Sequence, residues 1–337
     1  MINTDSVAEV YMESKSKTLY DRETGYFFRG IAIVMVVLSH YAEWWLMFSP
    51  SAGDVEKFLL PFTKLGIYGV NIFFFFSGYG LTKSVEHKKI DGTFILHRLQ
   101  SVYLPYLIIV GIIQILTGGF GSVSGFVKFL YGHDYWFMVI LFLFYIGFIL
   151  IWLVLKNSHL RILLFLLYTA AIIKVLFDRD MQSFWYVSNL AFPLGILFGT
   201  YESGCRKILS KVKIPLILLL LAFVIYYEFY MDMTGMTPER ILYLQLTNTV
   251  LWTIQIACIA ALTPWHGEVF NGLGRCSLYL YLLHTYIFMR CVNYFNYSFP
   301  IRVLISAVVT VITAMLCRIL ITGPVKLLSN RRKHDKI

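Results

Sequence analysis

The sequence predicts an all-α, polytopic integral membrane protein with about ten transmembrane helices and both termini in the cytoplasm. Three observations lead to this prediction. Of the 337 residues, 58% are hydrophobic and 14% are charged, whereas soluble proteins carry about 25% charged residues. The apolar residues fall into ten runs of about the length that crosses a bilayer. Basic residues concentrate in alternate connections between these runs.

The ten runs are long and continuous, which favours helices. A helix needs roughly 20 apolar residues to cross the hydrocarbon core, and it pairs its backbone groups internally. A barrel strand would alternate apolar and polar residues, and these runs do not. The sixth run is the weakest, because it is short and contains Pro193, Gly195 and Gly199. The predicted spans are 28–47, 66–83, 99–117, 135–155, 160–177, 185–200, 213–231, 245–263, 275–295 and 299–321.

These runs divide the chain into a cytoplasmic tail at 1–27, a transmembrane domain at 28–321 and a basic cytoplasmic tail at 322–337. The first 27 residues are polar and of mixed charge, so we expect no cleavable signal peptide. The five cysteines include no C-x-x-C pair and are expected to pack rather than to form disulfides. Neither a metal site nor a nucleic-acid-binding motif is evident.

The positive charges set the predicted orientation. With ten spans, both tails and the even-numbered loops share one side. Nineteen of the 29 lysines and arginines lie there and six lie in the odd-numbered loops. The positive-inside rule therefore places both tails in the cytoplasm, and the net charge of +10 follows from topology.

The remaining basic residues lie within spans: Arg29, Lys174, Arg290 and Arg318. An ionisable group at membrane depth is a functional candidate, and snorkelling of the long side chain to the interface is the ordinary alternative. We adopt the snorkelling interpretation for the last three. Arg29 differs because of the histidine that shares its helix.

Arg29 and His40 are predicted to lie on one helix face. They are eleven residues apart, which is three turns plus about 20°, and about 16 Å along the axis. Ile33, Val36 and Glu43 continue this stripe. Arg29 would lie at the cytoplasmic mouth and His40 near mid-membrane. A lone membrane histidine often only packs or forms a hydrogen bond, and the aligned arginine makes that interpretation weaker.

Five motifs in order carry a family resemblance. Arg29 and His40 form R-x(10)-H on the first span. They are followed by GVNIFFFFSGYGL from residue 69, HRLQSVYLPYL from 97, YWF from 135 and GRCSLYLYLLH from 274. Together they resemble the membrane acyltransferase-3 family, which is expected to have ten spans. The chain differs from the family pattern at Gln100, Ser101 and Val102, where further basic residues are usual.

The resemblance implies transfer of an acyl group, commonly acetyl from acetyl-CoA, onto a sugar or another acceptor at or beyond the membrane. It assigns function to Arg29, His40 and Arg98. Counting residues from the span ends places Asn71 and His284 at the depth of His40. The two polar groups predict a cavity, although each could instead be an interhelical hydrogen bond. Ser277, seven residues before His284, shares its face.

Two clusters of side chains suggest where substrates would bind. Arg29, Lys83, Arg98 and Arg275 lie at cytoplasmic span ends and would suit the phosphates of a CoA, or they could be ordinary positive-inside charges. Tyr135 and Trp136 lie at the outer edge. Aromatic rings there usually form the membrane belt, and they could also stack on a sugar acceptor.

The leading hypothesis is a bacterial plasma-membrane O-acetyltransferase that modifies a cell-surface polysaccharide or glycolipid. His40 would act as general base, Glu43 would hold its tautomer, and Asn71 would support the thioester oxygen or position the acceptor. His284 and Ser277 would shape the acceptor cavity. Direct attack is favoured over an acyl-histidine intermediate.

The alternatives are a transporter or flippase that uses midplane histidines as a proton relay, and an inactive relative that binds lipid-linked sugar. The sequence leaves open the acceptor, the acyl chain and whether the chain forms a homo-oligomer.

Overall fold

The protein is all-helical, as predicted. The computed structural model describes residues 18–48, 53–295 and 297–334, without the side chains of 87 and 324–334, and this part of the chain contains no β-strand. The outer ends of the predicted tails, 1–17 and 335–337, lie outside the described residues.

Thirteen α-helices make up the described part of the chain. They are α1 Arg22–Phe48, α2 Asp54–Thr63, α3 Leu65–His87, α4 Gly92–Arg98, α5 Leu104–Thr117, α6 Val123–Tyr131, α7 Trp136–Val154, α8 Ser158–Asp178, α9 Ala191–Thr200, α10 Glu202–Phe229, α11 Pro238–Ala260, α12 Glu268–Tyr294 and α13 Phe299–His334. A single 3₁₀ turn, Ser183–Trp185, precedes α9.

A π-helical turn, Leu99–Tyr103, joins α4 to α5 without a break. Pro105 follows it in the first turn of α5. Proline has no N–H and cannot donate to the carbonyl oxygen four residues earlier. This missing hydrogen bond explains why the helix widens into a π-turn just before Pro105. Arg98 lies directly before this turn, and π-turns are frequent at functional sites.

Eight helical stretches of the described chain are long and apolar enough to cross a bilayer, judged by length and composition. Of the other two predicted spans, 185–200 becomes a ten-residue helix, α9, preceded by turns. The span predicted at 275–295 lies in α12, which has 27 residues but also carries Asn271, Arg275 and His284. The count of ten spans therefore stays a prediction.

Several helices extend past the predicted spans. The helix α1 begins at Arg22 rather than 28, and α10 begins at Glu202 rather than 213. The helix α13 continues to His334, so the predicted C-terminal tail is largely helical. The sequence prediction counted apolar residues suited to the hydrocarbon core, whereas helical hydrogen bonding continues into polar flanks.

The helices α1 and α12 cross with their backbones in contact. A Cβ added to Gly274 would overlap the carbonyl oxygen of Tyr26, and one added to Gly30 would overlap that of Phe270. Small residues allow helices to approach closely in membranes, where packing rather than the hydrophobic effect drives association. This crossing aligns the face of α1 that carries Arg29 and His40 with α12.

Gly274→Ala is expected to destabilise the protein by about 1–3 kcal/mol, the usual cost of overpacking, because the added methyl must push α1 and α12 apart. Gly272→Ala is the matched control on the same helix, since a Cβ there meets nothing within 4 Å. That control should be neutral or slightly stabilising, because alanine favours helix over glycine. Thermal denaturation of both variants in detergent measures the difference, and equal melting temperatures would contradict the close-packing argument.

Candidate active site

Two histidines from α1 and α12 meet inside the helix bundle. Nδ1 of His40 lies 2.7 Å from Nε2 of His284. The two rings are almost parallel, with centroids 5.0 Å apart and planes inclined by 2°. His284 is buried and His40 is half-buried. Trp44, one turn after His40, stacks on both rings, at 5.5 Å from His40 and 6.0 Å from His284.

The second nitrogen of His284 is also held. Its Nδ1 lies 2.8 Å from the carbonyl oxygen of Tyr281 and 3.2 Å from that of Leu280. The His284 side of the pair is therefore held by polar contacts with the backbone of α12. Nε2 of His40 forms no hydrogen bond with the described residues, so it can bind a further partner.

A cavity of about 670 Å³ lies on the side of this pair that faces the start of α1. Val36, one turn before His40, and Tyr281, one turn before His284, both line it. The ring centroid of Tyr281 lies 5.9 Å from that of His284. The cavity thus extends from the helix ends up to the residues that support the histidine pair. Five arginines line it: Arg22, Arg29, Arg98, Arg275 and Arg318. We call this space the arginine cavity.

Arg29 and Arg98 are anchored in different ways. Arg29 is half-buried, and its guanidinium donates to the carbonyl oxygen of Phe76 at 3.1 Å. Arg98 donates to Ser84 Oγ at 2.8 Å and lies over the ring of Phe94. Its Nε is buried and has no partner among the described residues. Each guanidinium has donors beyond those used here, so both can still bind an anion.

Arg275 also lines the cavity. It lies beside Glu23, the one carboxylate among the described residues that line this space. Its guanidinium lies 2.6 Å from Glu23 Oε2, which also accepts from Asn271 Nδ2 at 2.6 Å. With five arginines and one carboxylate, the arginine cavity is strongly positive. Such a space suits a polyanion.

Lys83 does not belong to this cluster, although its position at the same end of the bundle predicted that it would. Its ammonium lies 2.5 Å from Glu86 and 2.6 Å from Glu202, and it does not line the arginine cavity. Arg22 and Arg318 line the cavity, although the sequence did not suggest them as site residues. Their signal was weak, because Arg22 counted as a tail charge and Arg318 as a snorkelling residue.

The sequence predicted that Glu43 would hold the tautomer of His40, and the structure does not place it in contact with a nitrogen of that ring. Glu43 is exposed, one turn after His40. Nδ1 of His40 contacts His284 instead. Ser277 is buried and lines the arginine cavity, on the same face of α12 as His284.

Asn71 is fully buried in α3, and neither polar atom of its side chain has a partner in the described chain. It does not line the arginine cavity. Asn189, before α9, is buried and unpaired in the same way. Ser188, next to Asn189, donates from Oγ to the carbonyl oxygen of Ile67, one turn before Asn71, at 3.5 Å. These amides could bind a buried water or substrate group.

Tyr135 and Trp136, which were predicted to lie at the outer edge of the membrane, have different surroundings. The hydroxyl of Tyr135 donates to the carbonyl oxygen of Leu282 at 3.2 Å, and its ring lies against Tyr281. Tyr135 therefore supports the segment of α12 that leads to His284. The ring of Trp136 lies 5.4 Å from that of Phe184 and 6.4 Å from that of Trp185, in an aromatic cluster.

Comparison with known protein families identifies the family of this chain. The sequence model of the acyltransferase-3 family, described as an acyltransferase domain, matches residues 27–319. Searches of curated proteins and of solved structures found no match. The matched residues include α1 from residue 27 onwards, the histidine pair, and every arginine of the arginine cavity except Arg22. With nearly the whole chain matched, this multi-pass membrane protein belongs to the acyltransferase-3 family.

Proposed function

We propose that this membrane acyltransferase moves an acetyl group from acetyl-CoA to a hydroxyl of a sugar acceptor. The observation that carries the proposal is the arginine cavity, which extends from the helix ends to Val36 and Tyr281, each one turn before one of the paired histidines. The phosphates of acetyl-CoA would bind Arg29, Arg98 and their neighbours. The pantetheine arm would extend along Val36 and Tyr281, so that the thioester approaches His40.

The acceptor would enter from the opposite side of the membrane, near Tyr135 and Trp136. A hydroxyl is a poor nucleophile towards a thioester, so a base must take its proton as the new bond forms. His40 suits this task because the unperturbed pKa of histidine is near neutral. His40 is half-buried and lies one turn beyond Val36, the residue of α1 at which the arginine cavity ends. The acceptor we favour is a surface polysaccharide or glycolipid of a bacterial plasma membrane.

The donor can be tested without knowing the acceptor. Purified protein in detergent should bind acetyl-CoA, measured by isothermal titration calorimetry, and free CoA should compete. Acetate should not compete, because it has no phosphates for the arginines. A transporter or flippase for a sugar has no need of a CoA site, so absence of acetyl-CoA binding would overturn the proposal.

The acceptor can be sought in cells. Surface glycans from cells with the protein should carry additional acetyl esters, detected by mass spectrometry and removed by mild alkali. Cells with the His40→Ala variant at equal membrane abundance supply the matched control. Identical glycans in the two strains would contradict a sugar acceptor while leaving the donor site to the calorimetric result.

A further inference from the structure

We propose that His284 is a positioning residue that sets the tautomer of His40 and thereby makes Nε2 of His40 the basic atom. The proposal rests on the proposed function, in which His40 is the base. It revises the role that sequence suggested for His284, which was to shape the acceptor cavity. A chain of polar contacts runs from the backbone of α12 through His284 to the ring of His40.

The tautomer of His284 follows from its backbone contacts. Carbonyl oxygens only accept hydrogen bonds, and two of them, from Tyr281 and Leu280, lie 2.8 and 3.2 Å from Nδ1 of His284. Nδ1 must therefore carry a proton, because a lone pair facing two carbonyl oxygens in a buried site would be repulsive. A neutral imidazole has one N–H, so Nε2 of His284 is an acceptor.

The tautomer of His40 follows from that of His284. Nδ1 of His40 lies 2.7 Å from the accepting Nε2 of His284, so it must donate an N–H. The lone pair of neutral His40 is then on Nε2. The 2° angle between the ring planes allows the N–H of one ring to point along the in-plane lone pair of the other. Trp44 stacks on both rings and would keep them in this plane.

No carboxylate among the described residues lies within ion-pairing distance of either ring. The usual orienting partner of a catalytic histidine is a carboxylate. Here a second, neutral histidine takes that place, and it is itself oriented by two backbone carbonyls.

The reaction can be followed atom by atom. The acceptor oxygen attacks the thioester carbonyl carbon while its proton moves to Nε2 of His40. The imidazolium that results keeps its Nδ1–H donated to Nε2 of His284, which stabilises the charge. The carbon–sulfur bond then breaks, and the proton on Nε2 passes to the departing CoA thiolate. Without the acceptor on His284, His40 can adopt the tautomer with its proton on Nε2, which has no basic atom there.

The test compares His284→Leu with His284→Gln. Leucine fills a similar space without an acceptor, whereas the glutamine amide oxygen can reach the former position of Nε2 and accept from His40. The leucine variant should lower kcat about a hundredfold, the usual effect of losing general-base catalysis, with little change in KM for acetyl-CoA. Glutamine should restore kcat by about tenfold or more. Equal kcat values in the two variants, whether high or low, would overturn the proposal.

A second measurement depends neither on the His284 variants nor on turnover. Nitrogen-15 NMR of histidine-labelled wild-type protein distinguishes a protonated ring nitrogen from an unprotonated one, and the His40→Ala spectrum assigns the signals of His40. We expect Nδ1 of His40 to be protonated and Nε2 to be unprotonated. The opposite tautomer would overturn the role of His284. Absence of acetyl transfer by the wild-type protein would instead count against the proposed function.

Discussion

Replacing His40 with alanine is expected to lower acyl transfer by about a hundredfold or more, while acetyl-CoA still binds. Both routes considered for the reaction need Nε2 of His40, either as the base for direct attack or as the atom that briefly carries the acyl group. Binding should survive because His40 is one turn beyond Val36, the last residue of its helix stripe that lines the arginine cavity. Alanine also fits the helix without strain.

The measurement is the rate of acetyl transfer by purified protein at saturating acetyl-CoA, with calorimetric affinity measured alongside. His159→Ala is a matched control, because His159 is exposed at the start of α8, where Nδ1 contacts the hydroxyl of Tyr201. A wild-type rate in the His40 variant would refute the mechanism.

The same protein can separate the two routes to product. Mixing wild-type enzyme with acetyl-CoA in the absence of acceptor, followed by rapid quenching, should leave His40 unmodified if attack is direct. An acetyl group found on His40 by peptide mass spectrometry would establish the covalent route instead. The tautomer proposed above leaves Nε2 available for either.

The fold class followed from the sequence because a bilayer restricts the choices so strongly. Long continuous apolar runs can only be helices in lipid, and the structure is all-helical. The residues at which helices begin and end could not be predicted as well. Hydropathy indicates the part of a helix that suits hydrocarbon, so it did not show that α1 begins at Arg22 or that α13 continues to His334.

Within the site, positions along a helix could be predicted and partners between helices could not. Counting turns placed His284 at the depth of His40, but the 2.7 Å contact depends on how closely α1 and α12 cross at Gly30 and Gly274. For Lys83, the predicted position was also right and the predicted role was not supported. It lies at the predicted end of the bundle, but its ammonium binds Glu202, which is far away in sequence. A single sequence contains no signal for that pairing.

The arginine cavity leads to the second prediction. Arg29→Ala and Arg98→Ala should each weaken acetyl-CoA binding about tenfold to a hundredfold. A hydrogen bond to a charged group contributes about 1.5–3 kcal/mol, and about 1.4 kcal/mol corresponds to a factor of ten in affinity. Arg98 is the more informative position, because its buried Nε has no partner among the described residues and a phosphate oxygen would supply one.

Three comparisons test whether these arginines bind phosphate. Arg29→Lys should recover only part of the affinity, since lysine keeps the charge and loses the planar fork. Arg290→Ala is a matched control at the other end of α12, where the guanidinium lies over Tyr286 and outside the cavity. Dephospho-CoA, which lacks the 3′-phosphate, should bind wild-type protein more weakly than CoA. If Arg29 or Arg98 binds the 3′-phosphate, the difference in affinity between CoA and dephospho-CoA should be smaller in the alanine variant of that arginine. This comparison is a double-mutant cycle, with the phosphate and the arginine as the two groups removed. Wild-type affinity in both alanine variants would show that the phosphates bind elsewhere, and the arginine cavity would then lose its assignment as the donor site.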